Sequence, residues 1–414
     1  MGSLIVVLVI AGCAAYQYLK GTLVKALATI IITICASVAA FNYFEILANI
    51  VVSYAGDGRL ASLIPWAHSL CFGLLFILAF AILQTAASQL TRQPVDFGLL
   101  PERIGRVVCG IFLGLIISGL LLTALAMAPL SNKYPYQRYD PRNPDVENPH
   151  KVLLNADGFT TGWFGMISNG SFRAISNPKS FAVLRPNFLD QLFLNRHNIA
   201  DGVSIITSSP AIEVPQKNGA WFAPEDIKKS VSPKSGYNLT IVRVGIKRSA
   251  IKDAGQFTLS QLRLVCKPGK GQNENSFIGK SKNAYPVGYL KAANQLQEKK
   301  LNDQIKIGGN DFNENENVRW IDFAFYVPND FVPLVVEFKL NNIADVPLPV
   351  SADQAPPPVP FVERSETEKK TTEPGSPSEQ PTSGPTEEKR SGSRKGRLSN
   401  ISKGVVGDQF DEDK

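Results

Sequence analysis

Few residues in this 414-residue sequence have the types and spacing that catalysis requires. Of the three histidines, only His150 and His197 lie outside the apolar first third of the chain. A Ser-His-Asp hydrolase needs a histidine that is oriented by an acid. Asp190 lies seven residues before His197 and could share a helix face with it. Because a surface or satisfied core histidine is the commoner case, a hydrolase with an unfamiliar site at His197 stays only as an alternative.

Motifs of the common enzyme and cofactor classes are missing from the sequence. There is no GxSxG elbow, no GxxxxGK[ST] phosphate loop and no HExxH. The five cysteines show no CxxC spacing, and we expect each to be a buried, inert thiol. The net charge of +7 comes from scattered lysines and arginines, which does not favour nucleic-acid binding. We therefore predict no catalytic, cofactor or metal site and no nucleic-acid partner.

The first third of the chain reads as a membrane block. Residues 1–130 are rich in Leu, Ile, Val, Ala and Gly and carry few charges. Since about 20 apolar residues cross the hydrocarbon, four apolar runs predict spans at about 4–19, 23–41, 66–90 and 107–130. The segment Phe44–Val52 has the pattern of an amphipathic helix at the membrane surface, and His68 is expected at the interface. The first run is short, and cleavage or lipidation at Cys13 is an alternative to spanning.

Loop charges predict the orientation of this block. Positively charged loops stay on the cytoplasmic side of a membrane. The basic residues occupy two loops on one side of the predicted block: Lys20, Lys25, Arg92, Arg103 and Arg106. The N-terminus and everything after Leu130 are therefore expected outside the cytoplasm.

Two glycines in the fourth run are spaced for close helix packing. Gly110 and Gly114 are four residues apart, so they lie on one helix face and let another backbone approach. We expect tight packing within the bundle. Formation of a homo-oligomer through the same face is the alternative, and it would suit an oligomeric channel or transport accessory.

Two short motifs accompany the four-span layout. Lys20-Gly21 ends the first span and leads directly into the second, and Glu102-Arg103-Ile104-Gly105-Arg106 leads into Gly110 and Gly114. In layout and motifs, residues 1–130 resemble the colicin V production (CvpA) family. Three features depart from the family pattern: Lys25, where an acidic residue is usual, Arg106, where a glycine is expected, and the lack of the family's Asp near the start of the first helix.

This resemblance implies four spans in the bacterial inner membrane and a role in toxin production or secretion, or in envelope homeostasis. It implies no catalytic residue. The residues that carry it are helix-packing and turn positions: Lys20, Gly21, Arg103, Gly105, Gly110 and Gly114.

The rest of the chain reads as a soluble domain between two proline-rich segments. Residues 131–150 predict an extended linker, because repeated prolines block helices and central strands. Within a domain at 151–350, we expect short helices in 157–168 and 185–200. From about residue 202, alternating β-branched runs between Gly- and Asn-rich turns predict an antiparallel, immunoglobulin-like sandwich. Residues 351–414 have the composition of a disordered tail.

The predicted architecture is thus an α-helical multi-pass membrane bundle followed by a mainly β (α+β) domain outside the cytoplasm. The leading functional hypothesis is a non-enzymatic inner-membrane protein of the colicin V production type. Its expected partners are the lipid bilayer, other envelope proteins and, as a further possibility, a second copy of the chain.

Overall fold

Four long helices form the first third of the protein. The computed structural model describes residues 1–55, 61–90, 98–169, 181–196, 205–208, 210–269, 281–313 and 315–362. All four helices are long and apolar enough to cross a membrane, which confirms the prediction of four long apolar helices in this part of the chain. Their bounds are α1 Gly2–Lys20, α2 Leu23–Ala55, α3 Ala67–Leu90 and α4 Leu99–Met127.

Two of these helices are longer than their apolar runs. α2 continues to Ala55, so the prediction of a separate surface helix at Phe44–Val52 is wrong. No glycine or proline interrupts residues 23–55, and the face that carries Phe44, Ala48 and Val52 is buried. α4 begins well before residue 107, because its charged first turns are stabilised by an ion pair between Glu102 and Arg106.

The connector after α4 is a fixed loop. Residues 131–150 form neither helix nor strand, but they do not extend freely from the bundle. Arg138 and Tyr139 are buried, and the backbone N–H of His150 donates to the carbonyl of Arg138 at 2.9 Å. This hydrogen bond ties the end of the loop back to Arg138 in its interior.

Three short helices follow the connector: α5 Ala156–Asn169, α6 Phe181–Leu184 and α7 Phe188–Asn195. The predicted helices in 157–168 and 185–200 are confirmed, but they do not belong to a separate soluble core. Phe164 of α5 and Phe188 of α7 share one apolar core with Phe41 and Phe44 of α2. The ring of Phe164 stacks on Phe41 with 4.4 Å between centroids. Packing against α2 therefore buries the aromatic side chains of α5 and α7.

The remainder is mainly β, with strands from Ile212 onwards and none in residues 205–208 near the predicted start at 202. The strands are β1 Ile212–Glu213, β2 Ala220–Phe222, β3 Tyr237–Lys247, β4 Gln256–Thr258, β5 Leu262–Pro268, β6 Lys282–Ala284, β7 Pro286–Ala292, β8 Gln295–Glu298, β9 Gln304–Lys306, β10 Val318–Pro328, β11 Phe331–Phe338 and β12 Asn342–Asp345. Two more short helices are α8 Glu225–Lys229 and α9 Ile251–Ala254.

The strands form two main antiparallel sheets, which confirms the predicted antiparallel, sheet-rich architecture. The larger sheet has the order β1-β3-β10-β7-β8, with β2 also on β3, and the smaller one has the order β12-β11-β5-β6. β4 and β9 make a separate pair. β3 and β10 pair along their whole length, from Lys247 opposite Val318 to Tyr237 opposite Pro328.

Side-chain alternation gives each sheet two different faces. Val242 and Val244 of β3 share a core with Leu264 of β5 and Phe338 of β11, so this core lies between the two main sheets. Arg263 and Glu337 have the opposite parity in β5 and β11 and therefore lie on the other face of the smaller sheet. Both are buried, and that face is covered by the helices.

The proline-rich segment that starts the predicted tail is partly ordered. Phe361 is buried between the sheets, and its ring centroid lies 5.2 Å from that of Tyr289. The prediction of disorder is therefore wrong for residues 351–362, because this one aromatic side chain anchors the segment. Residues 363–414, on which the rest of that prediction falls, lie outside the described residues.

Candidate functional site

A group of buried charged side chains joins the helices to the smaller sheet. Its centre is the carboxylate of Glu337, which is 2 % exposed. Arg263, directly opposite on β5, donates to it from Nε at 2.7 Å. Arg185, just after α6, donates from Nη1 at 2.5 Å, and Gln191 of α7 donates from Nε2 at 2.7 Å. Two guanidinium groups and an amide thus converge on one carboxylate.

Arg185 extends this group to a helix of the membrane bundle. Its Nε donates to Oε1 of Glu45 at 2.8 Å, and Glu45 lies on α2. One guanidinium therefore bridges a carboxylate on α2 and a carboxylate on β11. The set Glu45, Arg185, Gln191, Arg263 and Glu337 is called the junction cluster below.

The charges of the junction cluster balance to zero, with two carboxylates and two guanidinium groups. Burial opposes the charge of Arg185, but Glu337 and Glu45 outweigh burial and the pKa of Arg185 is raised. Burial and the neighbouring charge of Arg185 together lower the pKa of Arg263, against the attraction of Glu337. Because the carboxylate of Glu337 accepts hydrogen bonds from three side chains, the arrangement is suited to holding elements together rather than to accepting a substrate proton.

His68 lies near the cluster inside the bundle. It is buried, and its ring lies edge-on to Phe44, the residue before Glu45, with 6.1 Å between centroids. Its ring is therefore packed against protein, and its expected position at the membrane interface stays a prediction. The turn Ala61–Trp66 leads into α3, and its Ile64 shares an apolar cluster with Ala67 and Val52.

A second polar chain ties the connector to α5 and α7. Arg138 donates from Nε to Asp190 at 2.7 Å and from Nη1 to the hydroxyl of Tyr136 at 3.0 Å. The Tyr136 hydroxyl donates in turn to Asp157 at 2.5 Å. Burial raises the pKa of Tyr136, and the nearby charge of Asp157 raises it further. Asp190, the acid considered for a hydrolase, is therefore committed to a structural pair, and His197 lies outside the described residues.

Arg196 caps the C-terminus of α4. Its guanidinium is fully buried and donates to the carbonyls of Leu125, Ala126 and Ala128, with 2.6 Å to Leu125 and 3.1 Å to Ala128. It also donates to the carbonyl of Tyr134 at 2.5 Å. The last carbonyls of a helix have no partner within the helix, and a cation there is favoured by the helix dipole. Arg196 therefore fixes the end of α4 to the segment that follows α7.

An open cavity of about 500 Å³ lies beside the junction cluster, between the connector and the sheets. Asn283 connects the two sites, because it lines the cavity and accepts from Arg263 at 2.7 Å. Tyr285 also lines it, and burial raises the pKa of that phenol. The lysine and tyrosine side chains of the wall are Lys234, Lys299, Lys300, Tyr237, Tyr285 and Tyr326. The volume falls within the range of small-ligand sites.

The residues singled out from the sequence lie elsewhere, along α1 and at the far end of the bundle. A Cβ on Gly110 would come within 2.6 Å of the Cα of Ala14, and one on Gly114 within 2.6 Å of the Cα of Ile10. The Gly110/Gly114 face is therefore covered by α1 of the same chain. A Cβ on Gly105 would come within 2.7 Å of Leu23, whereas Lys20 and Arg103 are exposed and Gly21 follows α1 as its C-cap.

The cysteines are free, and Cys71, Cys109 and Cys266 are buried as expected. Cys35 is exposed on the outward face of α2 and Cys13 is only half-buried, so the expectation of a buried thiol is wrong for these two. Within the described ranges, no three His, Cys, Asp or Glu side chains group as metal ligands.

Sequence reasoning missed the junction cluster, although its members carry a signal. Arg263 and Glu337 interrupt strongly apolar strands at positions that alternate with core residues. Glu45 interrupts an apolar helix in the same way. Single charges in otherwise buried elements need a partner, and the sequence contains such charges of both signs.

The fold and this site define a protein with four candidate membrane spans and an antiparallel, sheet-rich region joined by buried ion pairs. No protein-family model, curated protein or solved structure matches the chain.

Proposed function

We propose that this is a non-enzymatic, multi-pass protein of the bacterial inner membrane that holds a β-rich interaction domain outside the cytoplasm. The observation that carries the proposal is the junction cluster. Arg185 pairs with Glu45 of α2 and with Glu337 of β11, so ion pairs attach the sheets to a proposed membrane helix in addition to the covalent chain. A domain held in this way keeps one orientation relative to the bilayer.

The proposed orientation is supported by where the two ends of the bundle make their contacts. The end near Lys20, Lys25 and Arg103 carries exposed basic side chains, in keeping with the cytoplasmic side. The opposite end of the bundle packs against the rest of the chain; for example, Gly2 of α1 lies beside the side chains of Tyr136 and Val152.

The relationship to colicin V production proteins is part of the same proposal. It is supported by the Lys20-Gly21 turn and by Gly110 and Gly114, whose lack of side chains lets α1 pack closely on α4. The role that follows is in toxin production or secretion, or in envelope homeostasis. The two main sheets share a core, which supports an immunoglobulin-like binding module, and the cavity beside Asn283 is a surface on which an envelope partner can bind.

The orientation is tested by thiol labelling of the full-length chain. In a variant with all five native cysteines replaced by alanine, Lys229→Cys puts a single thiol on the exposed face of α8. A membrane-impermeant maleimide should label it in intact spheroplasts. The matched variant Lys20→Cys should label only after the membrane is permeabilised. The reverse pattern would overturn the proposed orientation.

The functional part is tested by complementation. The full-length chain is expressed in a bacterium that lacks its own colicin V production protein, and secreted toxin activity is measured. Restored secretion supports the family role. No restoration by a correctly inserted chain, as judged by the Lys229→Cys labelling, contradicts that role and leaves the orientation intact.

A further inference from the structure

α5 is an apolar helix that is too short to cross a membrane. After Asp157 it contains no charged residue up to its end at Asn169. Its 14 residues have a length of about 21 Å, whereas a span takes about 20 residues. On composition it fits neither a full span nor a helix exposed to water.

Contacts with α4 fix the depth of α5. The hydroxyl of Thr160 lies at 3.5 Å from the carbonyl of Ile116, and a Cβ on Gly119 would clash with Thr160. Farther along, the ring of Phe112 lies 6.1 Å from Phe159 and 5.9 Å from Trp163. α5 therefore packs on the part of α4 that spans residues 112–119.

That part of α4 lies within the apolar thickness of the bundle. Gly110 faces Ala14 and Gly114 faces Ile10, so residue 112 of α4 is level with residue 12 of α1. α1 begins at Gly2, and ten residues of helix correspond to about 15 Å. Because a bilayer has a hydrocarbon core of about 30 Å, the ring of Phe112 and the Trp163 beside it lie near its middle.

The polar groups of α5 are arranged to match this depth. Asp157 lies at the N-terminal end of α5 and accepts a hydrogen bond from Tyr136. Thr160 and Thr161 donate to backbone carbonyls at Ala156 and Asp157, which satisfies their hydroxyls within the helix. The outward face is apolar: Met166 is 66 % exposed, and a Cβ on Gly162 would contact nothing.

We propose that α5 is embedded in the apolar layer of the bilayer, which it enters from the side nearest the sheets, and that its outward face at Gly162, Trp163 and Met166 binds lipid acyl chains. α5 then enters the membrane without crossing it. This is an interaction surface for lipid beyond the four spans, and it does not depend on the proposed function.

Tryptophan quenching by brominated lipid tests the proposal. The chain has four tryptophans, and a variant with Trp66, Trp221 and Trp320 replaced by phenylalanine keeps only Trp163. In vesicles of phosphatidylcholine brominated near the middle of the acyl chains, its emission should fall more than in vesicles brominated near the headgroup. A matched variant that keeps only Trp221, buried in the sheets, should lose no emission in either lipid. Trp163 emission that is insensitive to both lipids would overturn the proposal.

A second measurement leaves the tryptophans unchanged. In the chain without native cysteines, Met166→Cys and Lys229→Cys each place a thiol at an exposed position. If lipid covers α5, a water-soluble maleimide added to vesicles that contain the protein in both orientations should label Lys229→Cys and leave Met166→Cys unlabelled until detergent is added. Equal labelling of the two before detergent is added would refute the lipid contact.

Discussion

Replacing Glu337 by glutamine should destabilise the sheets strongly, because it removes the negative charge at the centre of the junction cluster. Arg185 keeps Glu45 as a partner, but Arg263 loses its carboxylate and stays buried at 4 % side-chain exposure. At an effective dielectric constant of 20, one such pair about 4 Å apart is worth about 4 kcal/mol. Measured losses on breaking one buried pair are about 3–5 kcal/mol. We expect a loss in this range.

The charge balance makes a sharper prediction for the double variant Glu337→Gln with Arg263→Met. It removes one charge of each sign and leaves Arg185 paired with Glu45. The double variant should therefore be more stable than Glu337→Gln alone, since no buried guanidinium is left without its carboxylate. If Glu337 had only a steric role, the double variant should be less stable than Glu337→Gln alone, because it alters a second buried side chain.

Cys266 supplies the assay. It is the only cysteine after residue 130, it is fully buried in β5, and burial raises the pKa of its thiol to about 12. With the four bundle cysteines replaced by alanine, a thiol-reactive dye reports unfolding of the sheets in detergent. At about 2–4 °C per kcal/mol, Glu337→Gln should lower the melting temperature by about 10 °C. A change under about 2 °C, or a double variant less stable than the single one, would refute this reasoning.

Three further predictions concern α1, α4 and Lys339. Gly114→Leu should lower the melting temperature of the bundle in detergent, because a Cβ at this position would lie 2.6 Å from the Cα of Ile10. The control Gly12→Leu should leave the melting temperature unchanged, because nothing lies within 4 Å of a Cβ there. Equal effects of the two substitutions would contradict close packing of α1 on α4. Arg196→Met should speed hydrogen exchange at the end of α4, because the last carbonyls lose their donor; unchanged exchange would show that the cap is dispensable. Burial lowers the pKa of Lys339 to about 8, against an attraction by Asp253, so between about pH 8 and 10 the unfolded chain binds the additional proton and stability rises with pH. Lys339→Met should remove that rise, measured as the melting temperature at the two pH values; a rise that persists would assign it to another group.

How far the sequence predicts this fold depends on whether the signal is local. Apolar runs define the four helices, and alternation in segments such as Arg319–Val327 defines strands, since each pattern reports burial of its own element. Helix extents were wrong where packing decides them. The composition around Phe44 predicts an interfacial segment, yet α2 continues through it because Phe72 and Phe188 pack against the Phe44 ring.

Contacts between distant segments were not predictable from local pattern. Glu45, Arg185 and Glu337 are separated by more than a hundred residues in sequence, and nothing in their neighbourhoods pairs them. The position of α5 was missed for a related reason. Its sequence is that of an ordinary short helix, and its depth follows from contacts with Phe112, Ile116 and Gly119 of α4.

The junction cluster restricts how the sheets can be positioned on the helices. Apolar surfaces can slide over one another at small cost, because hydrophobic attraction has no direction. A shift of one residue in β11 would move Glu337 to the opposite face of its sheet and leave both Arg185 and Arg263 without that carboxylate. Each buried charge left unpaired costs about 3–5 kcal/mol, which is comparable to half the stability of a small domain. The cluster therefore acts on the specificity of the arrangement more than on its net stability, and it aligns β11 with α2 in one register.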